Sequence, residues 1–304
     1  MLPLLEGGEE TLIGGQAVME GVMMRAPHSY CVAVRKPNGE MVTETAPVER
    51  MSEKCPVFKL PILRGLGTIG QALGLGMKAL KFSADAALDD GTEKATEIPA
   101  WMMAIQIVLM LTVFIGVFFV APFFAARVAG TAHPYRVNAI EGIIRAVIFL
   151  IYLYGLSRLK DIQRVFQFHG AEHKVVFNFE SGNPVTVENA QRFTTFHPRC
   201  GTNFLAVVMA VSFVIHMFLP AGKALLPLLL RIALIPVVAG ISYEIIRFAA
   251  KHPGTLFAVI SKPGLWLQRI TTKEPDNSQA EVAIHALDGA MALEAKQGGE
   301  LVIA

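Results

Sequence analysis

Four long apolar stretches constrain the fold of this chain more than any other feature of its sequence. They cover residues 101–126, 139–159, 204–219 and 224–248. A helix needs about 20 apolar residues to cross the hydrocarbon core of a bilayer, and open-edged or irregular backbone is not stable there. The sequence therefore predicts an α-helical integral membrane protein with about four transmembrane helices.

The composition agrees with a membrane protein and argues against a nucleic-acid-binding one. Hydrophobic residues make up 53% of the chain and charged residues only 17%, whereas soluble domains carry roughly a quarter charged residues. The formal net charge is +2, and its carriers are too dispersed to form a basic surface for nucleic acid. Three cysteines without paired spacing, Cys31, Cys55 and Cys200, argue against a disulfide framework and favour a reducing compartment.

The distribution of lysine and arginine predicts the orientation in the membrane. The connection after the second stretch and the segment that follows the fourth are basic, with Arg158, Lys160, Arg164, Lys174, Arg192, Arg199, Arg247, Lys251 and Lys262. The connections on the other side offer mainly Arg127, Arg136 and Lys223. By the positive-inside rule, both termini face the cytoplasm. The expected location is the cytoplasmic (inner) membrane, where the protein is multi-pass and has membrane lipids as partners.

The regions outside the apolar stretches predict a small cytoplasmic α/β cap and helices at the membrane surface. β-formers on both sides of Pro37-Asn38-Gly39 predict a hairpin over residues 30–45, and a second hairpin is expected over residues 175–187. The glycine-interrupted segment 60–87 predicts an interfacial or re-entrant helix, with a fifth crossing as the alternative. Two further helices are expected, one at the membrane surface and one in the cytosol, over residues 255–270 and 279–295.

These elements divide the chain into six consecutive parts. A β-rich cytoplasmic segment (1–59) is followed by the interfacial helix and a linker (60–98) and by a first transmembrane hairpin (99–159). A cytoplasmic loop that carries the motifs described next (160–202) leads to a second transmembrane hairpin (203–250). An interfacial helix and a cytoplasmic tail (251–304) complete the chain.

The run His169-Gly170-Ala171-Glu172-His173 is the part of the sequence that predicts chemistry. On a helix, His169 and His173 lie four residues apart on one face, where neutral imidazoles can bind one divalent metal ion. The order His-x-x-Glu-His is that of the inverted zinc-hydrolase signature, in which the carboxylate activates water for attack on a carbonyl. Glu172 is therefore the candidate catalytic residue. Its alternative roles are to orient a histidine or to be a solvated charge on the helix.

A second group of candidate metal ligands follows in the same connection. His197 and Cys200 are three residues apart and close enough to reach one ion, and imidazole with thiolate favours zinc over a hard cation. Glu244, toward the cytoplasmic end of the fourth stretch, is a further candidate ligand or proton acceptor. The structural alternatives are an imidazole bonded to a backbone carbonyl for His169 and a buried small apolar residue for Cys200.

Charged residues within the apolar stretches form a separate cluster. Glu141 and Arg145 are one helical turn apart and can pair, and His216 and Arg231 are expected at a common depth. Such residues are costly in a bilayer and mark pathways for protons, ions or lipid headgroups. For Arg231, the expectation is that the side chain snorkels to the interface.

Several motifs resemble those of one bacterial family. They are Gly14-Gly15-Gln16-Ala17-Val18-Met19-Glu20-Gly21-Val22-Met23-Met24-Arg25, the run from His169 to Lys174, Arg199-Cys200-Gly201-Thr202 and Thr271-Thr272-Lys273-Glu274-Pro275. Together they span nearly the whole chain, which resembles the YqhQ-like bacterial membrane proteins. That family is largely uncharacterised, and its members are often labelled predicted metal-dependent enzymes. The resemblance thus implies a shared architecture and a metal-dependent activity carried by His169, Glu172, His173 and Cys200, but no particular reaction.

Two functional classes are compatible with these patterns. The first is a membrane-embedded, zinc-dependent hydrolase whose cytoplasm-facing site acts on a peptide or a lipid-linked substrate, with Glu172 as the base. The second is a non-catalytic membrane protein, either a metal-binding scaffold or a small carrier that uses Glu141 and Arg145. A carrier is expected to have more spans or an internal repeat. Neither is evident in the sequence, which favours the hydrolase.

Overall fold

The computed structural model describes residues 13–49, 51–88, 99–128, 133–222, 225–252, 255 and 262–296. Within these residues the chain is mostly helical, with one small sheet near the N-terminus. The strands are β1 (Gly14–Val18), β2 (Gly21–Arg25), β3 (Ser29–Arg35) and β4 (Met41–Pro47). The helices are α1 (Met51–Lys54), α2 (Leu63–Leu88), α3 (Ala100–Ile115), α4 (Ala121–Val128), α5 (Pro134–Leu156), α6 (Lys160–Glu180), α7 (Val187–Gln191), α8 (Gly201–Met217), α9 (Leu225–Ala233), α10 (Ile235–Lys251), α11 (Lys262–Thr271) and α12 (Asn277–Lys296).

The four strands form an antiparallel meander in the order β1-β2-β3-β4. The predicted hairpin is confirmed, because β3 pairs with β4 through a turn in which Gly39 has φ of 87°. That left-handed conformation carries no steric penalty for glycine. The hairpin formed by β1 and β2, within the predicted β-rich segment 1–59, was not predicted.

Both faces of the sheet are covered, so the sequence of β2 lacks the alternation of polar and apolar residues that is typical of a half-exposed strand. On one face Met24 and Cys31 pack with residues of α6 and α12 such as Val175 and Leu287. On the other face, side chains of β2 and β3 pack with Leu75 and neighbouring residues of α2. Strands buried on both faces read as continuous apolar runs. We call this helix-sheet-helix assembly of the four strands with α2, α6 and α12 the cap.

The hairpin expected over residues 175–187 is wrong. The helix α6 continues through this region to Glu180 and is followed by a turn at Gly182, where φ is 69°. Val175 and Val176 are β-branched and favour a strand locally, but both are buried in the core of the cap on the helical face that also carries Phe168 and Ala171. Burial of this face against the sheet overrides the local preference.

Three apolar helices of the described chain are long enough to span a membrane. They cover Trp101–Val128, which joins α3 to α4 through a π-helical turn, Pro134–Leu156 and Leu225–Ala249. The third predicted stretch forms α8, an apolar helix of 17 residues that is shorter than these. The helix α2 is not among the three. Residue 224 and residues 256–261, which belong to two of the predicted segments, lie outside the described residues.

Candidate metal centre

The helix α6 presents His169, Glu172 and His173 together at the edge of the cap. Their part of the helix is fixed by the burial of Phe168, Ala171 and Val175 against the sheet. The two imidazole rings lie on the same side of α6, with their centroids 4.4 Å apart. The four-residue spacing therefore places both histidines on one face of the helix, as the sequence predicts.

Backbone carbonyls determine which nitrogen of each imidazole carries hydrogen. Nδ1 of His169 donates to the Thr271 carbonyl oxygen at 2.8 Å, and Nδ1 of His173 donates to the Thr195 carbonyl oxygen. A carbonyl oxygen only accepts, so both Nδ1 atoms are protonated. Nε2 is then the nitrogen of each ring that a metal ion can bind, once any proton on it has left. Nε2 of His173 is buried, and Oε2 of Glu172 lies 3.5 Å from it.

Cys200 completes a group of three potential metal ligands. Its Sγ lies 3.1 Å from Nε2 of His169, and one donor atom from each of His169, His173 and Cys200 lies within 4.8 Å of the other two. Cys200 is the N-cap of α8, and its sulfur accepts from the backbone N–H and the hydroxyl of Thr202 at 3.5 and 3.3 Å. The positive end of the helix dipole favours a thiolate there. We refer to His169, His173 and Cys200 as the candidate metal centre.

The surroundings of the two buried cysteines give them opposite acidities. Burial raises the pKa of the Cys31 thiol to about 12 in the core of the cap. Burial also opposes ionisation of Cys200, but the imidazoles of His169 and His173 hold the pKa of its thiol well below the ordinary value. In the same way, burial disfavours a charged His173, yet the neighbouring Cys200 and Glu172 raise the pKa of His173 to about 9. Cys200 is therefore the thiol suited to bind a metal ion or to react.

Glu172 lies beside the candidate metal centre and depends on a glycine for its position. Its Oε2 is 3.5 Å from Nε2 of His173, and only 6% of the residue is exposed. The strand β1 passes so close that a Cβ on Gly15 would lie 2.2 Å from Cγ of Glu172. A glycine is thus required at this point of the N-terminal motif for the carboxylate to reach the histidines.

His197, a predicted ligand, lies next to the candidate metal centre but outside the group of three. Its ring centroid is 5.5 Å from that of His173, while its Nδ1 accepts from the Arg199 backbone N–H at 3.3 Å and its Nε2 lies 3.6 Å from Oε2 of Glu180. Gln268 holds the backbone of His197 through two hydrogen bonds of 2.7 Å. These contacts give His197 a positioning role in the loop that carries Thr195 and Cys200.

Glu244, also predicted as a ligand, is bound elsewhere. Its carboxylate accepts hydrogen bonds from the Arg64 guanidinium at 2.6 Å and from the Ile62 backbone N–H at 3.2 Å. Neither Glu244 nor His197 belongs to the group whose donor atoms lie within 4.8 Å of one another. The carboxylate of Glu244 joins the start of α2 to α10, which is a structural role.

A cavity of about 500 Å³ opens beside the candidate metal centre. Its polar lining comprises His169, Glu172, His173 and Cys200 together with Gln16, His197, Arg199 and Thr202. Its walls are mainly apolar and include Ile13 and residues of β1, α2, α8 and α10, among them Ala17, Ile69, Leu73, Phe204, Leu205 and Ile246. A cavity of this size, with a few polar groups at one place, is typical of a small-molecule site.

The cluster of charges in the apolar helices is larger than the sequence predicts. Glu141 accepts from Arg127 at 3.0 Å, from Arg145 at 2.8 Å and from Arg231 at 2.8 Å. Arg145 also donates to Nδ1 of His216 and to the Phe118 carbonyl oxygen in the π-helical turn, both at 2.8 Å. The expected snorkelling of Arg231 is wrong, because this residue is fully buried. These internal bonds favour a structural role for the cluster over a transport pathway.

The residues that hold the imidazoles were not predicted as part of the site. Thr195 and Thr271 act through backbone carbonyls, and a carbonyl gives no signal in side-chain chemistry. The available signal was indirect, since Thr271 begins one of the motifs that carry the family resemblance. Contact between that motif and α6 is a property of the tertiary fold.

The fold and the site define a mostly helical, membrane-associated protein with a largely buried His-His-Cys group beside a carboxylate. The chain belongs to the family described as "Protein of unknown function (DUF1385)", which matches residues 60–293. It is 36% identical over 299 residues to "Uncharacterized protein YqhQ" of Bacillus subtilis (strain 168), with 93% of each chain covered. The resemblance seen in the motifs is thereby confirmed. No solved structure matches the chain.

Proposed function

We propose that this protein is a membrane-embedded, zinc-dependent hydrolase with a site that faces the cytoplasm. The observation that carries the proposal is the orientation of two imidazoles. The Nδ1 atoms of His169 and His173 both donate to backbone carbonyls, so Nε2 is the nitrogen of each ring that can bind an ion beside the sulfur of Cys200. Histidine ligands of metal ions are characteristically held in this way by their other ring nitrogen.

The donor set fits zinc. Nε2 of His173 is buried beside the Cys200 thiol and the Glu172 carboxylate, where a divalent ion would bind in place of a proton. Two imidazole nitrogens and one thiolate suit zinc better than magnesium or calcium. Three protein ligands leave one position of a four-coordinate ion open, as in catalytic rather than structural zinc sites. Zinc would supply a Lewis acid that polarises a carbonyl and acidifies coordinated water.

Glu172 is the proposed general base. Its carboxylate lies 3.5 Å from Nε2 of His173 and lines the cavity, so it can accept a proton from water that attacks a substrate bound there. The nearly complete burial of Glu172 strengthens its interactions with neighbouring charges, because solvent screens them less. His169 and His173 would hold the ion, and the carbonyls of Thr271 and Thr195 would hold the imidazoles.

The apolar walls of the cavity favour a substrate with an apolar portion. Phe204 and Leu205 come from the start of the apolar helix α8, and Leu73 comes from α2. A lipid-linked substrate, or a peptide with apolar side chains, could place its scissile bond near Glu172 while its apolar part contacts these walls. Both substrate classes are available at the surface of a membrane.

The proposed topology adds α8 as a fourth crossing to the three apolar helices of spanning length. At 17 residues α8 has the minimum length for a transmembrane helix. Four crossings place both termini on the same side, and the positive-inside rule makes that side the cytoplasm. The cap and the candidate metal centre would then face the cytoplasm in a multi-pass protein of the cytoplasmic membrane.

Metal content tests the first part of the proposal. The full chain is purified in detergent, and zinc is measured by plasma mass spectrometry in wild type, in the His169→Ala/His173→Ala double variant and in His285→Ala, which changes an exposed histidine on α12. We expect about one zinc ion per chain in wild type and in His285→Ala, and its loss in the double variant. Absence of metal from all three proteins after incubation with zinc would contradict the proposal.

The role of Glu172 separates a hydrolase from a non-catalytic scaffold. Glu172→Gln keeps the size of the side chain but removes the base, so we expect zinc to be retained and turnover to be lost. Turnover is measured as consumption of lipid-linked or peptide components when membrane extracts are incubated with the purified protein. If zinc-loaded Glu172→Gln and zinc-loaded wild type give the same product profile, and this profile changes only when the metal is lost, the protein is not a hydrolase that depends on Glu172.

A further inference from the structure

A second cleft, of about 410 Å³, lies at the end of the apolar helix α5. It is bounded by the C-terminal end of α5 and the following turn, by the first half of α6 and by the C-terminal end of α11 with the residues after it. It shares none of its lining residues with the cavity beside the candidate metal centre. We call it the basic cleft, for the three cations Arg158, Arg269 and Lys273 that line it.

These three cations are exposed, and their charges are not neutralised locally. Within the described part of the chain, Arg158, Arg269 and Lys273 form no ion pair with a carboxylate. The cleft contains one carboxylate, that of Glu274, which is itself bound to the Lys174 ammonium at 2.8 Å. The cleft therefore carries an excess of positive charge that is suited to an anion.

The position of the basic cleft along α5 corresponds to the level of lipid headgroups. The cleft begins at Tyr154, within the apolar helix Pro134–Leu156, and extends to Arg158, just beyond its end. The Arg158 guanidinium lies 6.0 Å from the centre of the exposed Tyr154 ring. Trp266, which is also exposed, is carried by α11 together with Arg269. Tyrosine and tryptophan are enriched at the boundary between the hydrocarbon core and water.

We propose that the basic cleft binds the phosphate of an anionic phospholipid headgroup. Guanidinium groups bind phosphate through paired, charge-assisted hydrogen bonds, which Arg158 and Arg269 can provide, and Lys273 adds a point charge. Basic pockets at the ends of membrane helices recognise anionic headgroups in this manner. The cleft volume is within the range of small-molecule sites, and Gln163 at its edge offers an amide to the hydroxyl groups of a headgroup such as phosphoglycerol.

Lipid binding to the full chain in a neutral detergent tests this proposal. Native mass spectrometry measures the dissociation constants of phosphatidylglycerol and of zwitterionic phosphatidylcholine, with glycerol phosphate as the free phosphate ester. The cleft variant is Arg269→Gln/Lys273→Gln. The matched control is Arg192→Gln/Lys262→Gln, which removes two exposed cations outside the basic cleft. If the cleft variant does not fold, Lys273→Gln replaces it, because Lys273 is exposed and lies outside every helix.

We expect wild type to bind phosphatidylglycerol more tightly than phosphatidylcholine. The cleft variant should bind phosphatidylglycerol about tenfold more weakly or worse, and the control should remain within about twofold of wild type. An equal loss in the two double variants would overturn the proposal in favour of general attraction to a basic surface. Unchanged binding by the cleft variant would also overturn it. Full displacement of the lipid by an equal concentration of glycerol phosphate would assign the cleft to a soluble phosphate ester instead.

Discussion

Two glycines bring the backbone close enough to assemble the candidate metal centre. Gly15 on β1 leaves room for the side chain of Glu172, and Gly170 on α6 leaves room for the Lys273 carbonyl, which would lie 2.0 Å from a Cβ at position 170. The second contact brings the end of α11 to α6, where the Thr271 carbonyl accepts from His169. The glycine inside the histidine motif thus has a packing role next to the metal-binding one proposed for its neighbours.

We expect Gly15→Ala to lower the free energy of unfolding by about 1–3 kcal/mol, because the added methyl group overlaps the Glu172 side chain. It should also displace Glu172 from His173. Gly74→Ala is the matched control, since nothing lies within 4 Å of a Cβ there, and alanine favours the helix α2 by up to about 1 kcal/mol. Thermal unfolding of the purified proteins measures both effects. Equal stabilities would show that β1 does not lie against Glu172 as described.

Glu141 is the carboxylate on which the buried arginines depend. Glu141→Gln should destabilise the protein by about 3–5 kcal/mol, because it leaves Arg127, Arg145 and Arg231 as uncompensated buried charges. The control is Glu281→Gln, which breaks the exposed ion pair with Arg35 and should cost less than about 1 kcal/mol. Unfolding over a series of denaturing-detergent concentrations would measure the free energy of unfolding of both variants. A similar small loss in the two variants would contradict a structural role for the cluster.

Among the elements, α6 and α12 connect the sheet to the rest of the molecule. The helix α6 carries the motif on one side and the core residues Ala171 and Val175 on another. The helix α12 reads from the sequence as a tail, yet Val282, Ala286 and Leu287 are buried against β2 and β3. The side chain of Glu294 on α12 accepts from the Ser29 hydroxyl at 2.7 Å and from the His28 backbone N–H at 3.0 Å. The C-terminal helix is therefore part of the core of the cap.

Leu287→Ala should lower the free energy of unfolding by about 2–5 kcal/mol, as expected when a buried leucine in a packed core is truncated. The control Leu60→Ala changes a leucine that is about half exposed and should have a small effect. Circular dichroism during chemical unfolding provides the measurement. If Leu287→Ala is as stable as Leu60→Ala, α12 is not packed on the sheet in solution.

For the whole molecule, the candidate metal centre joins segments that are distant in the chain. His169 and His173 come from α6, Cys200 from the start of α8, and the carbonyls of Thr195 and Thr271 from two connections. An ion bound by these ligands would bind the folded state and not the unfolded chain. Metal binding and global stability are therefore expected to be linked.

Zinc should raise the midpoint of thermal unfolding of the metal-free protein. At a zinc concentration 100-fold above the dissociation constant, the folded state gains about 2.7 kcal/mol. Magnesium, which prefers oxygen ligands, should give no comparable shift, and His173→Ala should lose most of the response to zinc. A response that is the same for both metals, or that persists in His173→Ala, would argue against the proposed ligands.

The cysteines provide a test of the proposed orientation, because Cys55 is exposed whereas Cys31 and Cys200 are buried. A membrane-impermeant maleimide should label Cys55 in inverted membrane vesicles, in which the cytoplasmic face is outside, and not in intact cells. Labelling should disappear in Cys55→Ser. Efficient labelling of Cys55 in intact cells would reverse the orientation and move the candidate metal centre to the outer face of the membrane.

Local patterns in the sequence were sufficient for several elements and for the two histidines of the candidate metal centre. Length and apolarity identify three helices that are long enough to span a membrane. The Asn-Gly turn identifies the hairpin of β3 and β4, and a four-residue spacing places His169 and His173 on one face of α6. Each of these features depends on residues close together in the chain, where the period of a helix or a turn is imposed by backbone geometry.

Contacts between distant segments decided the remainder. The selection of Cys200 over His197 and Glu244 depends on how α8 meets α6, and the burial of Arg231 depends on the approach of α9 to Glu141 on α5. The continuation of α6 through Val175 depends on the sheet beneath it. Burial against a distant partner outweighs local preference in each case, because the free energy of removing apolar surface from water, or of neutralising a buried charge, exceeds the differences in propensity between residues.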